Sequence, residues 1–180
     1  MKTLNQHDRR SIRLKEHDYS QPGEYFVTIC TYDHECTLGE IASEQMRLNE
    51  IGKIVREEWL RTPNIRTGIE LDVYVIMPNH IHGIIVIKEE LPIPNVGTHS
   101  CASLQRKPRS LGSIIAGFKS VATKRINEMR HTPSFPVWQK RYYDRIIRND
   151  KELNNIKDYI HNNILQWSIK RDDPDNIPLW

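Results

Sequence analysis

Two strand-like runs separated by a single dipeptide constrain the fold more than any other feature. Residues 69–77 alternate apolar and polar side chains, and residues 80–87 resume a strand pattern directly after Pro78-Asn79. Strands joined by so short a connection pair antiparallel, because parallel neighbours need a crossover of a dozen or more residues. The pattern therefore predicts a hairpin.

The other elements follow from residue type and spacing. Residues 24–31 are rich in β-branched and aromatic side chains and predict a strand, and residues 135–147 predict the last one. Apolar positions at helical spacing predict three helices: from Leu48 to a stop at Pro63 with Asn49 as cap, from Ser110 onward, and over about 150–164. This order predicts an α+β fold, a ferredoxin-like βαββαβ core (split βαβ, antiparallel sheet) with an added C-terminal helix.

A length of 180 residues fits one folded domain. We expect this domain over residues 16–167, with a flexible basic arm at 1–15 and a tail at 168–180. Residues 91–109 contain three prolines and predict a long loop. The chain has no run of the ~18–20 apolar residues that a membrane span needs and no CxxC pair, so we expect a cytoplasmic protein without membrane contact.

Positive charge is concentrated in one part of the chain. Residues 105–148 hold eleven Lys or Arg and two acids, Glu128 and Asp144. Such a segment suits a polyanion, above all nucleic acid, because phosphate contacts and counterion release supply most of the affinity. A solvated cationic surface without a ligand is the alternative. The predicted phosphate contacts are Lys119, Lys124, Arg125, Arg141, Arg145 and Arg148.

The histidines that follow the hairpin turn are the sharpest chemical feature. On a strand, residues two apart point to the same face, so His80 and His82 can hold one divalent cation. Two histidines that merely cap a strand end near solvent are the alternative. A histidine-triad hydrolase would need a histidine where Ile84 stands, and a metallo-β-lactamase would need Asp and His within residues 83–87. Both of those classes are excluded.

A nucleophile must be sought among the hydroxyls, because the chain has neither GxSxG nor a Walker loop. Tyr159 lies on the flank of the third predicted helix, and Asn163 follows one turn later on the same edge. A phenol has a pKa near ~10, yet beside a metal-bound phosphate it can form a phosphotyrosine link. A half-buried Tyr159 with its hydroxyl in water is the alternative. Tyr142 and Tyr143 are rival nucleophiles, although their basic neighbours suit base stacking better.

Taken together, these motifs resemble the single-tyrosine HUH transposases, and most closely the REP-associated tyrosine transposases. The resemblance spans roughly residues 13–167 and is carried by residues 18–31, 77–82, 110–127, 137–150 and 159–163. It implies that His80 and His82 bind Mg²⁺ or Mn²⁺, that Tyr159 attacks DNA, and that Asn163 completes the metal shell. Relatives usually have proline after this asparagine, whereas this chain has Ile164, which predicts a helix that continues.

The resemblance also implies a reaction and a partner. The enzyme would cleave single-stranded DNA at a REP-like hairpin in the nucleoid, leaving a 5′-phosphotyrosine and a 3′-hydroxyl that can be rejoined. Two alternatives remain: a domesticated nucleic-acid-binding module that does not cut, and a metal-dependent phosphoesterase that uses water. The link at residues 148–150 is short, which favours a monomer that completes its own site over a homodimer that exchanges the tyrosine helix.

Overall fold

The computed structural model describes residues 17–89 and 109–169, with side chains up to Trp167. The predicted arm, most of the predicted loop and the predicted tail lie outside these residues. The described strands are β1 Gly23–Cys30, β2 Gly39–Ala42, β3 Gln45–Leu48, β4 Ile69–Met77, β5 His80–Ile87 and β6 Tyr143–Ile147. The described α-helices are α1 Glu50–Ile65, α2 Leu111–Arg130 and α3 Asp150–Ile169. None of these helices is long and apolar enough to cross a membrane.

Four strands form one antiparallel sheet in the order β4-β5-β1-β6. The second and third strands of this sheet along the chain, β4 and β5, are the predicted hairpin. The sheet strands and the two helices α1 and α2 alternate along the chain as in a βαββαβ core, and α3 follows. The predicted α+β, ferredoxin-like class with an added C-terminal helix is therefore confirmed.

The predicted cap of α1 at Asn49 is confirmed, because its side chain accepts from the Gly52 N–H, although Leu48 before it belongs to β3, which pairs with β2 in a small second sheet. Three other predicted boundaries were wrong. Pro63 lies inside α1, because the helix continues to Ile65. The last strand was predicted over residues 135–147, but regular strand pairing is confined to β6. The two prolines within residues 133–136 have no backbone N–H to donate to a neighbouring strand. Helix α3 continues five residues past Ile164 because no proline stops it.

Period-two alternation gives the four-stranded sheet two different faces. The face that we call the core face packs against α1 and α2 and buries Tyr25, Val27 and Ile29 of β1 together with Ile81, Ile85 and Ile87 of β5. The opposite face, which we call the site face, packs against α3 through Phe26, Ile84, Ile156 and Ile160. Thr28 of β1 and the two histidines of β5, His80 and His82, fall on the site face at the end of β5 near the hairpin turn.

Candidate active site

His80 and His82 lie side by side at the start of β5, on the site face. Their ring centroids are 4.4 Å apart. His82 is buried and lies opposite Thr28 in the β1 register, whereas His80 is partly exposed and lies opposite Cys30. The predicted pairing of the two imidazoles on one face of a strand is what the structure has.

Helix α3 brings Tyr159 to this pair. The Tyr159 hydroxyl lies 3.1 Å from Nε2 of His82, and only 9% of the residue is exposed. The ring of Phe26 stacks on the His82 ring and meets Tyr159 edge-on, so both rings are held from β1. The hydroxyl therefore contacts a histidine inside the fold, and the alternative of a phenol pointing into water does not hold.

Asn163 lies one turn further along α3, buried at 6% exposure. Burial raises the pKa of the Tyr159 phenol, and a side-chain hydrogen bond with Asn163 opposes that rise. A hydrogen bond that lowers a phenol's pKa is one donated to its oxygen, because it stabilises the phenolate. The amide nitrogen of Asn163 is the atom that can donate to the Tyr159 oxygen, and its carbonyl oxygen is the atom that a metal could take.

The position of each histidine proton follows from its other neighbours. Asn79 donates from Nδ2 to the backbone carbonyl of His34 over 3.1 Å, which turns its Oδ1 toward Nδ1 of His80 at 2.6 Å. Since Oδ1 can only accept, Nδ1 of His80 carries the proton and Nε2 keeps a lone pair. Thr28 Oγ1 lies 2.8 Å from Nδ1 of His82. When Tyr159 donates to Nε2 of His82, Nδ1 carries the proton and Thr28 Oγ1 accepts from it.

Both imidazoles are held in the neutral form. Desolvation lowers the pKa of His80 to about 3, and the neighbouring His34 adds to this effect. Desolvation, followed by the effect of His80, lowers the pKa of His82 well below its usual range. Neutral imidazoles with a lone pair on one nitrogen are the form that ligates a metal.

The donor set suits a metal that is held by few protein atoms. Within residues 17–89 and 109–169, no three His, Cys, Asp or Glu side chains are grouped as a metal site would need. Two imidazole nitrogens and the amide oxygen of Asn163 would leave coordination positions for phosphate oxygens and water. Nitrogen ligands favour Mn²⁺ over Mg²⁺, which prefers an all-oxygen shell. The two imidazoles and the Asn163 oxygen are the groups that could hold a divalent cation, and Asn79 and Thr28 orient the two imidazoles.

Three residues near the histidines have no role in the sequence prediction. Asn79 and Thr28 orient the two rings, and Trp167 of α3 places its ring centroid 5.9 Å from that of His80. Asn79 belongs to the motif that contains both histidines, but its partner His34 is 45 residues away along the chain. The spacing of Tyr159, Asn163 and Trp167 at four-residue intervals is the one signal in the sequence that groups Trp167 with the site.

The rival tyrosines occupy different positions. Tyr142 packs against the core-face cluster, with the Lys119 ammonium 5.9 Å from its ring centroid. Tyr143 pairs with Thr28 across β1 and β6 and so shares the site face. Strand β1 separates it from the strand that carries the histidines.

The predicted phosphate contacts divide into two groups. Arg125 pairs with Glu57 and Glu58, Arg145 pairs with Glu152, and the Lys119 ammonium donates to the carbonyls of Gln139 and Arg141. These three bases are bound within the chain. The other three are exposed: Lys124, Arg141 and Arg148. The Lys124 ammonium also lies 3.9 Å from the Glu128 carboxylate. Residues 119–125 belong to α2 on the core face, whereas Arg145 shares the site face with Phe26, its partner across the strands.

Comparison with known proteins identifies the fold and one relative. A protein of Haemophilus influenzae described as uncharacterized is 40% identical over 169 residues, which cover 89% of this chain and 91% of that protein. The chain belongs to the same family as that protein. A solved REP-associated tyrosine transposase bound to a REP hairpin superimposes with a TM-score of 0.59 at 18% identity, over 86% of this chain and 74% of that chain, so the two share a fold. No family model matches the chain.

Proposed function

We propose that this protein is a metal-dependent, single-tyrosine HUH transposase that cleaves and rejoins single-stranded DNA, with residues 16–167 as its catalytic domain. The observation that carries the proposal is the contact of 3.1 Å between the Tyr159 hydroxyl and Nε2 of His82 inside the fold. A tyrosine that only filled space on α3 would have no need of a histidine pair at its hydroxyl. A nuclease that used water would have no need of a tyrosine there.

The residues divide the work of the reaction. The Tyr159 oxygen forms a bond to phosphorus while the bond from phosphorus to the 3′ oxygen breaks, giving a 5′-phosphotyrosine and a free 3′-hydroxyl. The phenol proton passes to solvent and the departing 3′ oxygen takes up a proton. Asn163 favours the phenolate through the hydrogen bond that it donates, against the effect of burial. Attack by another 3′-hydroxyl on the phosphotyrosine reverses the reaction and releases Tyr159.

His80 and His82 hold the cofactor in this proposal, with the Asn163 carbonyl oxygen as third protein ligand. A bound Mg²⁺ or Mn²⁺ would polarise the scissile phosphate and neutralise its nonbridging oxygens. Asn79 keeps the proton of His80 on Nδ1, and Thr28 can accept the proton of His82 at Nδ1, so each ring presents the lone pair of Nε2. On His82 the metal would take the place of the Tyr159 hydroxyl at this atom. The rest of the protein's task is to position the phosphate in line with Tyr159.

The proposed substrate is a DNA hairpin with single-stranded flanks, and the solved transposase with this fold is bound to a REP hairpin. The basic segment supports a polyanionic partner, because Arg141 and Arg148 are exposed. We place the protein in the cytoplasm, at the nucleoid. Because one chain supplies both His82 and Tyr159 to their contact, we also propose a site completed within a monomer.

A labelled hairpin with single-stranded flanks, incubated with Mn²⁺, tests the proposal on a denaturing gel. The wild type should form a covalent adduct, and Tyr159→Phe should form none while keeping its affinity for the hairpin, because only the hydroxyl attacks. An adduct in the Phe variant would transfer the role to Tyr143 or Tyr142. Cleavage without an adduct would indicate a water-using phosphoesterase, and binding without cleavage a domesticated module. Mixing Tyr159→Phe with His80→Ala chains should restore nothing, since a restored adduct would contradict the monomeric site.

A further inference from the structure

Helix α3 carries one more residue to the site than the reaction requires. Tyr159, Asn163 and Trp167 follow each other at intervals of four, so their side chains leave one edge of the helix. The Tyr159 hydroxyl contacts His82, and the ring centroid of Trp167 lies 5.9 Å from that of His80. The indole therefore lies at the partly exposed end of the histidine pair, beyond the buried nucleophile.

The extension of α3 is what brings Trp167 there. Ile164 leaves the helix unbroken to Ile169, whereas a proline at this point would remove a backbone hydrogen bond and bend or end the helix. The last turn of α3 then places a large aromatic side chain against His80. Trp167 is only half-buried in this position, so part of its ring surface is available to a ligand.

A half-exposed indole beside a phosphate-processing centre has the chemistry of a base-stacking platform. Every nucleobase has a π-face, so stacking on tryptophan tolerates any sequence and contributes about 1–3 kcal/mol per base. The proposed reaction requires unpaired nucleotides at the scissile phosphate, and their bases have no partner strand to stack in. The two histidine rings, whose centroids are 4.4 Å apart, lie between the Trp167 indole and the Tyr159 hydroxyl.

We propose that Trp167 stacks on an unpaired nucleobase next to the scissile phosphate, and so forms a binding subsite for single-stranded DNA. This inference rests on the proposed function, which supplies the strand. The ligand class is a single-stranded oligonucleotide, and the contact is with a base face, independent of phosphate charge.

The test compares two probes that share a backbone: fluorescein-labelled dT12 and an abasic dodecamer with the same phosphates. Full-length Trp167→Ala should bind dT12 about 5- to 160-fold more weakly than the wild type. It should bind the abasic strand within twofold of the wild type. Trp167→Phe should recover most of the dT12 affinity, because it keeps an aromatic face. Leu165→Ala, which removes an exposed apolar side chain two residues away on the other side of α3, is the matched control and should match the wild type on both strands.

Other results overturn the inference. Equal losses on both strands would mean that Trp167 only supports the fold, and no loss on dT12 would mean that it does not meet a base. If Trp167→Ala fails to fold, two other measurements can reject the inference. One is a wild type that binds dT12 and the abasic strand equally. The other is tryptophan fluorescence that dT12 quenches as much in Trp167→Phe as in the wild type. A wild type that shows the stacking effect but forms no Tyr159 adduct would reject the proposed function alone. An adduct without the stacking effect would reject the subsite alone.

Discussion

The two faces of the four-stranded sheet are made by the same strands but bury different kinds of side chain. On β5, Ile81 and Ile85 point to the core face, whereas His80 and His82 point to the site face. Two helices pack on the core face through an apolar cluster that includes Trp59 and Phe118, whose rings are in edge-to-face contact. One helix packs on the site face through a smaller apolar cluster, which lies next to polar groups.

The difference teaches how a sheet of this size can hold reactive groups. A buried histidine or phenol costs stability unless it is hydrogen-bonded, and on the site face each one has a partner. Gly83 follows His82 on β5 and faces Trp59, where a Cβ would lie 2.5 Å from the indole. The core face can therefore pack tightly against β5 directly behind the site. We infer that the core face supplies most of the stability and the site face supplies the chemistry.

The largest expected effect comes from removing a histidine. His82→Ala should abolish adduct formation at low metal concentration, with partial recovery in excess Mn²⁺, because one of two imidazole ligands is lost while the core face stays intact. Gel assays over a Mn²⁺ titration measure this, and thermal unfolding checks the fold. Cleavage that continues undiminished in EDTA would contradict the metal's role.

The next largest effect is on stability and concerns Ile85, which lies three residues after His82 on β5. Ile85→Ala on the core face should lower the free energy of unfolding by about 2–5 kcal/mol, since it leaves a cavity in the larger cluster. Chemical denaturation measures this loss. Adduct formation at a temperature where the variant is folded should stay near the wild-type rate. Leu60→Ala, at 48% exposure, is the control and should change stability by less than about 0.5 kcal/mol. Equal losses in both variants would refute the division between the faces.

How far the sequence predicts these features depends on how local their causes are. Alternation along a strand predicts that His80 and His82 share a face, and helical spacing predicts the buried stripe that aligns Tyr159. The hairpin of β2 and β3 has two four-residue strands with little apolar pattern, so nothing local distinguishes it from a loop. The pairing of Arg125 with Glu57 and Glu58 joins two helices that only the tertiary fold brings together.

A smaller effect should follow from releasing one histidine from its orienting group. Asn79→Ala removes the oxygen that accepts from Nδ1 of His80, so the ring can change tautomer or rotate. Mn²⁺ affinity measured by titration calorimetry should fall about 10- to 100-fold, the usual effect of losing such a partner. Asn79→Asp keeps an oxygen toward Nδ1 and should lose much less. Nitrogen-15 chemical shifts of His80 should show a proton on Nδ1 in the wild type, and a proton on Nε2 there would contradict the assigned tautomer.

The smallest expected effect is on the salt dependence of DNA binding, and it shows which face of the sheet the DNA contacts. Arg148 and Lys124 are both exposed bases, but Arg148 joins β6 to α3, whereas Lys124 belongs to α2 on the core face and lies 3.9 Å from Glu128. If DNA runs along the site face, Arg148→Ala should reduce the slope of log affinity against log salt by about 0.7–0.9, the value for one phosphate contact. Lys124→Ala removes the same charge at a distance from Tyr159 and should leave the slope within about 0.3 of the wild type, because screened charges contribute little beyond ~10 Å. Fluorescence anisotropy of the hairpin between low and physiological salt gives both slopes. A larger change in the Lys124 variant would place the DNA across α2 and would mean that the basic segment binds on the face opposite the chemistry.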